Sequence, residues 1–110
     1  RVLYVQQLKQ HNTNRIKGLV LMNQNVIEKE AFRQNTMLNF VFGPKIHKVE
    51  ERAFFHCHHL SRFLSKSLCI VESSAFYFCV ALSKINLSSA ITLEDECFSM
   101  SGLVNVQVQA

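Results

Sequence analysis

The sequence has no tryptophan, one proline and three glycines in 110 residues, and none of its four cysteines is spaced as C-x-x-C. Each scarcity excludes something. Globular chains average about 7% glycine, so few breakers argue for long elements and few tight loops. Without C-x-x-C, neither a zinc ribbon nor a thioredoxin-like redox pair is signalled. No stretch approaches the roughly 20 apolar residues of a membrane span. The most apolar run, Ala75 to Leu82, is eight residues long and flanked by Lys66, Glu72 and Lys84. The opening Arg1-Val2-Leu3-Tyr4-Val5 carries no initiator methionine and no signal-peptide core, which leaves the compartment open.

Apolar residues make up 48% of the chain and charged residues 18%, a balance that buries a core and excludes disorder. Residues 1–110 are expected to form a single, soluble domain. A core of that size needs no bridges, so Cys57, Cys69, Cys79 and Cys97 read as free, mostly buried thiols, which favours an intracellular setting. The one glycosylation sequon, Asn86-Leu87-Ser88, is no more than chance supplies in a chain this rich in Asn and Ser.

No internal repeat, low-complexity tract or linker stands out, but the character of the chain changes near residue 67. Val2, Val5 and Leu8 share a helical face. Asn25 can cap a helix with Glu28 reaching back, while Gly43 and Pro44 can close that helix and open the next. Beyond Ser67, Leu68 to Val71 and Phe76 to Leu82 read as strands, and Val104, Val106 and Val108 alternate with polar residues. The expected fold is α+β: helices at about 2–10, 26–42 and 44–66 packed on an antiparallel sheet at about 68–109.

A helix from Lys45 to Lys66 would gather Ile46, Val49, Ala53, Cys57, Leu60 and Leu64 on one inward stripe. A second stripe would carry Lys45, Lys48, Arg52, His56, His59, Arg62 and Lys66, with Phe55 and Phe63 in its range. These cations give the net charge of +4 a local address, and with Phe55 they form a candidate site for nucleic acid or another anion. The alternative is a solvated face.

The stretch His56-Cys57-His58-His59 invites a metal reading, but neighbours on a helix diverge by about 100°. Only His56 with His59, or His47 with Glu51, converge as a pair, and each would need a partner from Cys69, Cys79 or Cys97. The tripeptide His56-Cys57-His58 resembles the H-C-H of multicopper oxidases. That family's next histidine is replaced here by Arg62, so no copper site is carried over. No metal site and no cofactor is therefore expected. Glu94-Asp95-Glu96 reads as a solvated turn, and no phosphate loop, nucleophile elbow or H-E-x-x-H occurs. The chain is expected to be non-enzymatic: a small basic binding module, or alternatively a structural or protein-interaction subunit. A metal-binding protein and a folded chain with no selected function stay open as further alternatives.

Overall fold

The computed structural model describes residues 2–5 and 16–102, and among them every regular element is a short β-strand. The strands are β1 (Val2–Val5), β2 (Gly18–Leu21), β3 (Val26–Ile27), β4 (Phe40–Phe42), β5 (Lys48–Val49), β6 (Arg62–Leu64), β7 (Ile70–Val71), β8 (Lys84–Ile85) and β9 (Thr92–Leu93). They form two parallel sheets, one ordered β1-β2-β4-β6-β8 and the other β3-β5-β7-β9. The chain alternates between the sheets from β2 onward, so it winds as a solenoid in which each coil adds one strand to each. From β2 onward the register advances by 22 residues per coil, Gly18 facing Phe40, Phe40 facing Arg62 and Arg62 facing Lys84.

This corrects the reading that no repeat exists. Ile27-Glu28, Val49-Glu50, Val71-Glu72 and Leu93-Glu94 are each followed, after two intervening residues, by Ala31-Phe32, Ala53-Phe54, Ala75-Phe76 and Cys97-Phe98. Equivalent residues stack in columns. Phe32, Phe54, Phe76 and Phe98 form a ladder of nearly parallel rings with centroids 5.4, 5.2 and 5.3 Å apart. Phe63 meets Phe54 and Phe76 edge-on at 5.6 and 5.4 Å. Parallel coils lie about 4.7–4.9 Å apart, close to the separation that stacked rings prefer.

After each strand of the second sheet the chain runs through linked turns whose N–H groups alternate between two duties. Those of Glu30, Phe32 and Gln34 donate to carbonyls of the next coil, at Glu51, Ala53 and Phe55. Those of Ala31, Arg33 and Asn35 turn back three residues, to Glu28, Glu30 and Phe32. The next coils repeat the pattern, and it requires left-handed residues in two columns. These are Glu30, Arg52, Ser74 and Glu96, and Gln34, His56, Phe78 and Met100, with φ between 55 and 63°.

The α+β expectation is overturned throughout. Residues 26–42 and 44–66 hold strands and turns where helices were expected, with N–H groups bonded to neighbouring coils or three residues back. Of the proposed helix at 2–10, residues 2–5 are strand β1 and the remainder lies outside the described residues. The sheet expected at about 68–109 is parallel where described, and Phe76 to Leu82 is mostly turn. Val104 to Val108 lies outside the described residues.

Gly43 has no left-handed φ and closes no helix. It is required for space, because a Cβ there would stand 2.2 Å from Ile46 Cδ1.

Candidate protein interface on the five-stranded sheet

Strand residues alternate between faces. Leu19, Val41, Phe63 and Ile85 point into the core, which leaves their neighbours on the outer face of the five-stranded sheet. One outward column is Gly18, Phe40, Arg62 and Lys84; the next is Val20, Phe42, Leu64 and Asn86. The Phe40 ring lies over Gly18, where a Cβ would meet it at 2.3 Å, and the Arg62 guanidinium sits 5.5 Å above that ring. In the second column Phe42 is 38% exposed. Beside it lies an open depression of about 340 Å³ lined by Phe42, Pro44, Leu64, Ser65, Lys66 and Asn86.

Charge is sorted around the coil. The segments that carry this sheet and its flanks (16–25, 38–47, 60–69, 82–91) hold five cations, Lys17, Lys45, Arg62, Lys66 and Lys84, and no acidic residue. All eight acidic residues lie in 28–30, 50–51, 72 and 94–96, just after the strands of the other sheet. Four of them, Glu30, Glu50, Glu51 and Glu72, meet cations there. Lys48 reaches Glu50 at 3.7 Å and Glu72 at 3.4 Å, Arg52 reaches Glu30 and Glu51 at 3.6 and 3.5 Å, and Lys29 reaches Glu51 at 3.7 Å.

The stripe expected from the sequence therefore divides. Lys45, Arg62 and Lys66 come together at the five-stranded sheet, Lys45 Nζ donating to Asn23 Oδ1 at 3.3 Å. Lys48 and Arg52 are engaged by carboxylates across the coil. Phe55 and His56 sit in the arm of turns, with rings 4.3 Å apart; Phe55 stacks on Tyr77 at 5.1 Å, and the Arg33 guanidinium lies 5.6 Å from Phe55. His59 is exposed there, its Nδ1 donating to the Thr36 carbonyl at 2.7 Å. Among the described residues no group of three or more His, Cys, Asp or Glu is placed to hold a metal ion.

The buried thiols Cys57, Cys79 and Cys97 belong to the core. All four cysteines are free. Cys57 and Cys79 occupy one column and donate to the carbonyls of Phe32 and Phe54 at 3.0 and 3.1 Å. Burial pushes the Cys57 thiol up to about 12, the Cys79 thiol further still, and the less enclosed Cys97 to about 11. A thiol held protonated in this way is a poor nucleophile.

Val20, Phe42, Pro44, Leu64, Lys17 and Lys84 were missed as site residues. The 22-residue offset, which sets Val20, Phe42 and Leu64 in line, would have found them. The same offset bears on ancestry: a family model described as BspA type leucine rich repeat region matches residues 11–110 in six copies. The chain belongs to that family. Among curated proteins and solved structures, nothing matches significantly. As a BspA-type leucine-rich repeat, the chain is a protein-interaction or structural repeat module. BspA-type repeats typically serve as scaffolds, and the match lends no support to nucleic acid as the partner. Among the described residues no helix is long and apolar enough to cross a membrane.

Proposed function

We propose that the chain binds a partner protein through the outward face of its five-stranded sheet, with Phe42 and Leu64 as the anchors. The carrying observation is the apolar column Val20, Phe42 and Leu64, with Phe42 exposed and its two neighbours half-buried, beside a depression of about 340 Å³. Side chains on paired strands are already ordered, so little freedom is lost when a partner covers them. Aromatic anchors set in a pocket and rimmed by polar groups are the arrangement from which hot spots are built.

The test is selection of displayed peptides on the folded chain, followed by affinity measurement on Phe42→Asp and on Ile91→Asp, a substitution at an exposed site outside this column. Binders should weaken by about tenfold or more on Phe42→Asp and hold on Ile91→Asp, with both variants keeping the parent circular dichroism spectrum. Binders that hold Phe42→Asp as tightly as the parent chain would place the interface elsewhere.

A further inference from the structure

We infer that the segment taken by this face is an extended acidic peptide with the pattern acidic-x-apolar-x-acidic. This rests on the reading of the face as a protein interface. The observation behind it is the order of side chains along β6 and just past its end: Arg62, Leu64 and Lys66, a cation at each end and an apolar residue between. Arg62 and Lys66 are both exposed, and Leu64 and Lys66 line the depression together. Adjacent coils reinforce each end. Lys84 stands beside Arg62 in register, and Lys45 lies near Lys66, one position further along the preceding coil.

Alternate residues of an extended chain point the same way, and four residues span ~13 Å at about 3.3 Å per residue. A partner segment laid along β6 would therefore place two carboxylates four residues apart over the two cations, with the side chain midway between them over the depression. Neither cation meets an acidic side chain among the described residues, so no ion pair has to be broken. The same pattern disfavours nucleic acid. A phosphate-tracking surface makes about 6–10 backbone contacts and offers free ring faces to bases. Among the described residues the sheet and its flanks together hold five cations, the column between Arg62 and Lys66 is apolar, and with the Phe40 ring taken by Arg62 the face offers the single exposed ring of Phe42.

The experiment is fluorescence anisotropy on the whole chain with a labelled synthetic peptide, Gly-Ser-Glu-Thr-Phe-Thr-Glu-Ser-Gly. Three comparison probes are used: the same peptide with Gln for both Glu, one with the two Glu adjacent, and a labelled single-stranded oligonucleotide of matching length. The first peptide should bind. Binding should weaken by about tenfold on Arg62→Glu, on Lys66→Glu, with Gln for Glu, and with the carboxylates adjacent. Charge-conserving Arg62→Lys and Lys66→Arg should retain most of it. No binding of the first peptide overturns the inference, as does equal binding of the Gln peptide or tighter binding of the oligonucleotide. Selected binders that need Phe42 but are indifferent to Arg62→Glu and Lys66→Glu sink this inference alone. Binders indifferent to Phe42 sink the proposed function itself.

Discussion

Phe54 is one of the two inner rungs of the aromatic ladder. Its ring is stacked on Phe32 and Phe76, met edge-on by Phe63, and fully buried. Its sequence neighbour Phe55 faces the other way, half-buried against Tyr77. Two adjacent phenylalanines thus differ sharply in what they hold together. Phe54→Ala should cost about 3–5 kcal/mol, the usual range for emptying a buried aromatic site. Phe55→Ala should cost no more than about 1.5 kcal/mol, close to what an aromatic pair contributes beyond its area. Urea unfolding followed by circular dichroism compares the two, and equal losses would contradict the ladder as the centre of the core.

At the scale of the element, the recurring glutamate is the bracket between coils. Glu50, Glu72 and Glu94 each accept, through Oε1, the N–H of a residue in the preceding coil: Lys29, Glu51 and Ser73, at 3.1, 3.2 and 3.1 Å. Glu72 also holds Lys48. Hydrogen bonds to charged groups contribute about 1.5–3 kcal/mol. Glu72→Ala is accordingly expected to lower the unfolding free energy by about 1.5–3 kcal/mol in urea titration, and Glu72→Gln, which keeps an acceptor, by less. The sequence made part of this legible. Of the residues read as one inward stripe, Ile46, Val49, Ala53, Cys57 and Leu60 are buried, while Leu64 is half-buried on the outer face of the five-stranded sheet. What misled was their spacing of three and four residues, which a coil that turns a corner every few residues shares with a helix. Six helical turns take about 21.6 residues, so a 22-residue coil also realigns on a helical projection and the false stripes stay coherent. The strands were hard to find because most run two or three residues, too few for alternation to show. Of the candidate site, Lys45, Arg62 and Lys66 were visible as cations, but Phe42 and Val20 lie about one and two coils before Arg62 and Leu64 in sequence.

For the whole molecule, stability should behave as a sum over stacked units and their junctions. Deleting residues 50–71 joins Val49 to Glu72 and removes one 22-residue period, leaving every column in register. That variant should keep a β-type circular dichroism spectrum and a cooperative, weaker urea transition. Deleting residues 50–60 removes half a coil, sets inward positions against outward ones, and should abolish the transition. If both deletions unfold the chain, the coils are not interchangeable units.

The left-handed backbone at Glu30, Arg52, Ser74 and Glu96, and at Gln34, His56, Phe78 and Met100, carries a consequence for how the chain acquires shape. Each such residue bears a side chain in a conformation that costs roughly 1–2 kcal/mol when nothing compensates. Compensation comes from the layers above and below, so one layer by itself has every reason to relax. A peptide cut from the middle would be a string; its shape exists only in company.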